Sequence, residues 1–304
     1  MPRLILIFLL AVTAAQAQIV LPAPSQPPPQ PFYARIRGLF DFDLPDIDPP
    51  GTVKLVLHPH ISDLVRRDYM RVDGGFRWAL SHRFEFTPEA SVYFNHGLRH
   101  GDDGYGIGAV RLGAKYILPT WPAKDMETSL TLNLDRPTGH APIDMTDGLN
   151  HVAPGFLVQR HVADAPKWTT FGGAGLDLVS ASSVTGTPAR NQPRDDSMNF
   201  TVGAIYDLGQ VKYTLSTTYA TTSLIGDTGQ DFFYIRPNLL WYVPKKYTFN
   251  SKTQWIVGFG ARISWGPDGS EISFTNRVRA EITFRQVMQK MRFIGPDDTP
   301  TGSR

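Results

Sequence analysis

The feature that most restricts what this chain can fold into lies in its last third, where two long segments alternate apolar and polar side chains. Trp255, Val257, Phe259, Ala261, Ile263 and Trp265 share one parity, with Gln254, Arg262 and Ser264 on the other. Ile272, Phe274, Val278, Ala280, Ile282 and Phe284 repeat the pattern opposite Ser273, Thr275, Arg277, Arg279, Glu281 and Thr283. A period of two is strand geometry, because successive side chains point to opposite faces of a pleated sheet. Strands in soluble sheets run about 5–6 residues, whereas a tilted strand crossing a bilayer takes roughly 9–11. These segments are long enough for the second use.

The N-terminus carries the marks of export. Arg3 supplies a positive start, Leu4 to Val12 an apolar run, and Ala15-Gln16-Ala17 a small-x-small cleavage pattern, so residues 1–17 read as a signal peptide. No later stretch has the eighteen uninterrupted apolar residues of a membrane-spanning helix. The expected products are therefore an exported soluble protein or a transmembrane barrel. A hydrophobic fraction of 41% and a net charge of +2 fit both, since half of each barrel strand faces a polar interior. That charge gives no reason to expect nucleic acid. With no cysteine, disulfides, thiol nucleophiles and thiolate metal sites are all ruled out.

Residues 18–50 form a distinct segment, with nine prolines between Leu21 and Pro50. Pro22 to Pro31 reads as an extended linker, but Tyr33, Ile36, Leu39, Phe40 and Phe42 make the second half too apolar for a plain spacer. The segment is expected to be a periplasmic arm packed on the rim or a plug entering the lumen. Residues 51–285 are read as the barrel and 286–304 as a polar tail.

Beyond Pro50 the pattern predicts about twelve strands: 52–60, 70–80, 83–95, 105–118, 126–136, 149–160, 168–179, 198–208, 211–221, 232–243, 253–265 and 272–284. Their connections alternate. Those after odd strands are mostly long and polar (Asn95 to Gly104, Pro137 to Gly148, Ala181 to Ser197, Thr222 to Asp231), while those after even strands are mostly shorter, down to Leu208-Gly209-Gln210. Long loops outside and short turns in the periplasm characterise an up-and-down outer-membrane barrel, so the fold class expected is an all-β, antiparallel transmembrane barrel of about twelve strands.

Two residue sets follow from strand parity. Aromatic rings suit the headgroup boundary, and Trp78, Phe84, Tyr116, Trp168, Tyr206, Tyr213, Trp241 and Trp255, with Phe284, gather at the presumed periplasmic ends, and Trp265 at the other end. The opposite parity is expected to line a lumen with Arg71, Arg77, Glu85, Glu89, Arg111, Lys115, Glu127, Asp135, Asp177, Lys212, Arg236, Arg262, Arg277, Arg279 and Glu281. Both signs of charge are present, so facing strands can pair them and any ion selectivity should be modest. In a soluble β-sandwich the same residues would form the outer, solvated face.

Gly106-Ile107-Gly108-Ala109-Val110-Arg111-Leu112-Gly113-Ala114-Lys115-Tyr116, Leu134-Asp135-Arg136-Pro137-Thr138-Gly139, and Thr146-Asp147-Gly148-Leu149-Asn150 leading into Val152-Ala153-Pro154-Gly155 resemble the outer-membrane barrel family named for the meta-cleavage pathway of phenol degradation. The resemblance spans residues 70–284. It implies a channel-like barrel for small or hydrophobic compounds, and no catalytic residues to carry over. The chain departs from many bacterial barrels in continuing past Phe284 to Arg304 instead of ending on an aromatic residue.

Other chemistry finds little footing. His58 and His60 share a strand face but have Pro59 between them and no defined third ligand. The run from His96 to Asp103 mixes imidazoles and carboxylates in a solvated loop. Gly172-Gly173-Ala174-Gly175 and Gly104 to Gly108 open no amphipathic helix, so they are not phosphate loops, and no Gly-x-Ser-x-Gly elbow occurs. The sequence thus points to a passive channel with outer-membrane lipid and small solutes as partners, without cofactor, metal or catalysis. A lipid-acting barrel enzyme and an adhesive barrel with a blocked lumen are the alternatives. Oligomeric state is left open.

Overall fold

A computed structural model of the chain describes residues 47–60, 63, 68–96, 104–118, 121–123, 125–138, 146–186, 191–249, 253–283 and 291, without the side chains of 58, 275–277 and 279–283. The signal segment, most of the arm, Phe284 and the tail lie outside these residues, apart from Met291.

Twelve antiparallel strands follow one another: β1 (Val53–Pro59), β2 (Tyr69–Ala79), β3 (Phe84–Asn95), β4 (Tyr105–Leu118), β5 (Met126–Pro137), β6 (Leu149–His161), β7 (Trp168–Ala181), β8 (Ser197–Asp207), β9 (Val211–Thr221), β10 (Asp231–Tyr242), β11 (Gln254–Gly266) and β12 (Gly269–Thr283). Each pairs with its sequence neighbours, and β1 pairs with β12 over Lys54–Leu57 and Ala280–Thr283, which closes the ring. A closed ring leaves no strand edge exposed, so every ladder can be satisfied internally. Among the described residues no helix is long and apolar enough to cross a membrane.

The strands end where sequence chemistry stops them. Gly209, at φ +82, turns the chain between β8 and β9. Pro267 and Asp268 join β11 to β12, with Gly269 at φ +90, a region that side chains rarely adopt. Sequence alone placed the start of the last strand at 272; the ladder instead runs on to Gly266 opposite Gly269. The connection is a tight turn, not a long loop.

Pro88, Pro154 and Pro237 sit inside strands, where proline cannot donate to the ladder. Each keeps its pairing on one side, with Leu112, Leu132 and Leu215 respectively. On the other side the ladder skips two pairs without changing register. The gaps fall between Gly75↔Glu89 and Trp78↔Phe86, between Val152↔Leu178 and Gly155↔Gly175, and between Ile235↔Ile263 and Asn238↔Gly260. These seams, β2/β3, β6/β7 and β10/β11, lie four strands apart around the ring. At the first of them Gly75 lies so close to the Pro88 carbonyl and the Glu89 backbone that a Cβ would collide.

Candidate functional site

Closure gives the sheet an outer and an enclosed face, and the side chains divide between them. Leu130, Leu132, Leu134, Phe156, Val202 and Leu215 are exposed on the outer face. A shallow apolar groove crosses it over β7–β12, walled by Trp168, Tyr213, Leu215, Leu239, Phe259 and Phe274. Trp78, Tyr116, Trp168, Tyr213, Trp255 and Trp265 are exposed, while Phe84, Tyr206 and Trp241 are half-buried. Strand register joins several of these rings: Trp168 pairs with Tyr206, which pairs with Tyr213, near the short turns. Toward the long loops, Phe200, Tyr219, Phe233 and Trp265 run side by side across four strands. The ring centroids of Trp168 and Tyr206 stand 4.8 Å apart, those of Phe233 and Trp265 5.7 Å.

The enclosed face carries ion pairs along β2–β7. Arg71 donates to Asp63 at 2.8 Å, Arg111 to Asp135, and the Lys115 ammonium lies 3.3 Å from Glu85. Lys115 and Glu85 are 2% and 1% exposed, and Arg77, opposite Lys54 in the β1/β2 register, 1%. Glu89 is half-buried opposite Arg111, while Glu127, exposed at its strand end, accepts from Gln159. His151 is clamped by Asp177 at Nδ1 (2.9 Å) and Asp147 at Nε2 (3.0 Å). Burial raises the Asp147 carboxyl, but the bonds from His151 and the Leu149 N–H outweigh it and hold it below the usual range. Lys212 meets Asp207 at 3.0 Å. Arg236 and Arg262 approach the Tyr234 ring at 5.0 and 5.1 Å. Arg277, Arg279 and Glu281 take register positions on β12 opposite Gly258, Ile256 and Gln254, and their side chains lie outside the described residues.

The enclosed face is not uniformly polar. Leu157, Phe171 and Ile205 form a buried cluster on β6–β8, and Ala220, Phe232 and Tyr234 another on β9–β10. Neither was read from the sequence. In β10 the run Phe232-Phe233-Tyr234-Ile235 is apolar on both parities, so no alternation marks which rings turn inward.

The β7–β8 connection is the other unexpected element. Asn191, at φ 48 and only 1% exposed, folds against β10–β12. Its amide N–H donates to Asp268 at 3.1 Å, its side-chain amide to the Gly269 carbonyl at 3.1 Å, and its own carbonyl accepts from the Tyr234 hydroxyl at 2.8 Å. In return the Asp268 N–H donates to the Asn191 side-chain oxygen at 3.2 Å. Further along, Asp196 accepts from the Val179 N–H, and Asp195 from the N–H groups of Asp227 and Thr228 in the β9–β10 connection. Those N–H groups, the Asp227 one foremost, hold the Asp195 carboxyl below its ordinary range. One long connection thereby ties together the β9–β10 connection and the β11–β12 turn.

His60, His151 and His161 contact carboxylates or a threonine hydroxyl. His60 bonds Asp73 at 2.7 Å, and Ser91 donates to that same carboxylate. His151 spends both ring nitrogens on carboxylates, and His161 meets Thr169 at 2.9 Å. Among the described residues, no group of three or more His, Asp or Glu is placed to hold a metal ion.

No family model matches the chain, and no curated protein does. The fold does match solved structures. An outer membrane channel from Pseudomonas putida F1 aligns at 14% identity and a TM-score of 0.50, covering 79% of this chain and 97% of that one. The KdgM porin aligns at 10% identity and 0.42, covering 76% and 97%, and OccK5 of Pseudomonas aeruginosa at 10% and 0.35, covering 75% and 62%. At 14% identity the first of these structures shares with this chain the fold alone, that of an outer-membrane-type barrel.

Proposed function

We propose that the protein is an outer-membrane barrel through which small solutes pass passively, with outer-membrane lipid around it and water inside. The observation that carries this reading is the division of one closed twelve-stranded sheet into an outer face of exposed leucines and aromatics and an enclosed face of paired charges. Large apolar side chains spread around the whole outer wall have no place on a monomer in water. On β11 the ten steps from Trp255 to Trp265 span about 34 Å of strand. Tilted by about 40°, they separate two aromatic belts by about 25 Å, the height of a barrel's apolar band. Trp78, Phe84, Tyr116, Trp168, Tyr206, Tyr213, Trp241, Trp255 and Phe284 belong to the periplasmic belt in this reading, and Trp265 to the outer one.

The charged residues of the enclosed face, from Arg71 on β2 to Glu281 on β12, line the path. Residues 1–17 are the export signal and 18–50 the arm; Asp48, buried and 3.3 Å from Lys54, draws the end of that arm toward the enclosed face. The resemblance to the meta-cleavage family adds hydrophobic or aromatic compounds to the candidate solutes. Purified protein in planar bilayers is expected to open stable conductance steps. Membranes that stay sealed at every potential and salt concentration would count against a channel.

A further inference from the structure

We infer that residues 191–196 act as a strap inside the outer mouth of the barrel and set the largest solute that passes. This rests on the channel reading above. Asn191 is 1% exposed, and its partners place it within the ring. Its side-chain amide stands 3.5 Å from the Ser264 hydroxyl, and its carbonyl accepts from the Tyr234 hydroxyl at 2.8 Å. Tyr234 and Ser264 face each other on β10 and β11, and both are buried. Asn191 also holds φ 48, a left-handed backbone that asparagine tolerates better than most residues.

The strap is fastened at separate points of the rim. At one end Asn191 bonds in both directions with the β11–β12 turn, through Asp268 and Gly269. Next, Asp195 accepts from Asp227 and, at 2.9 Å, from Thr228 in the β9–β10 connection. At the other end Asp196 accepts from the Val179 N–H on β7 at 2.8 Å. The neighbouring segments leave room for it: a Cβ at Gly266 would collide with the Asn191 side-chain oxygen, and one at Gly226 with the Asp196 carbonyl. The strap therefore runs from β7 to the β11–β12 turn within a ring of twelve strands. About eight strands leave an interior that side chains fill, and about sixteen to eighteen leave an open channel. An added layer of backbone inside twelve takes up much of the free width. None of the fastening bonds belongs to a sheet ladder, so they can open locally while the barrel stays folded.

The test uses the full-length protein in planar bilayers, with polyethylene glycols of graded size as probes of the mouth. Wild type should sit mostly at a lower conductance level. Asn191→Ala and Asp195→Ala should each raise the time spent at a wider level about fivefold, the effect of one net hydrogen bond, and together they should admit larger polymers. Tyr234→Phe, which keeps the ring and removes the hydroxyl, should act in the same direction. Gly226→Ala keeps every fastening atom but crowds the strap, and should also widen the mouth. Arg160→Gln, at the exposed pair with Asp125, should change nothing. The chain has no cysteine, so Ser264→Cys gives a second readout: its reaction with a water-soluble maleimide should quicken by the same factor when Asn191→Ala is added. Heat-modifiable migration in detergent gels establishes that each variant is folded. If wild type conducts and the strap variants match it in conductance, polymer cut-off and thiol reactivity, the strap is refuted and the channel stands. A bilayer that stays silent with wild type and with the double variant refutes both.

Discussion

At the scale of single residues, the strongest consequences come from buried charge. Glu85 and Lys115 lie on adjacent strands with almost no exposure. Removing one partner of such a pair leaves an uncompensated charge, which costs about 3–5 kcal/mol. Glu85→Ala should therefore shift urea unfolding in micelles by at least that order, whereas Glu85→Leu with Lys115→Met should recover most of the loss. Equal destabilisation by the single and double changes would mean that the pair contributes nothing as a pair. Asp195 makes a different prediction, at the surface. Its folded pKa is depressed, so the bonds it accepts from Asp227 and Thr228 hold above the ordinary carboxylate pKa and fail as pH falls through the lowered value. Amide protection at Asp227 and Thr228 should drop over that acidic window in wild type and be independent of it in Asp195→Asn.

At the scale of elements, the prolines are the informative departures. Pro237 leaves β10 and β11 short of a ladder bond in the middle of a continuous seam. Pro237→Thr restores a donor and should raise stability by about 1 kcal/mol, a typical net hydrogen bond, with slower exchange at Ala261, the position opposite it. A loss of stability would mean that the gap is required by side chains packed beneath it. Most element boundaries were legible in the sequence because alternation and turn residues agree: Tyr105–Leu118 and Val211–Thr221 were placed to the residue. The last strand was not, since the Gly269-Ser270-Glu271 stretch lacks the apolar alternation that marks a strand. The inward fold of Asn191 was also hidden. Its partners are 43 to 78 residues away in sequence, and nothing local in a polar loop announces them.

At the scale of the whole molecule, the enclosed face carries charges that are partly neutralised by their own pairs, and residues 47–50 lead into β1. If residues 18–46 enter the lumen, a protease site placed before Ile47 and cut from the periplasmic side of a bilayer should raise conductance in a single step once the fragment is washed away. Unchanged conductance would place the arm on the rim. In the sequence, charge parity assigns Arg111, Lys115 and Asp177 to one face, because their immediate neighbours Val110, Leu112, Tyr116, Leu176 and Leu178 are apolar. It could not mark Leu157, Phe171 or Ile205, which turn inward although apolar.

The most direct test asks which face of the sheet meets hydrocarbon. The chain has no cysteine, so single cysteines at Leu132 and Val202 on the outer face, and at Thr131 and Ser216 on the enclosed face, can carry spin labels in lipid bilayers. Relaxation by oxygen dissolved in the lipid should be strong at Leu132 and Val202, and relaxation by a water-soluble nickel complex strong at Thr131 and Ser216. The opposite pattern, with water reaching Leu132 and Val202, would contradict the account.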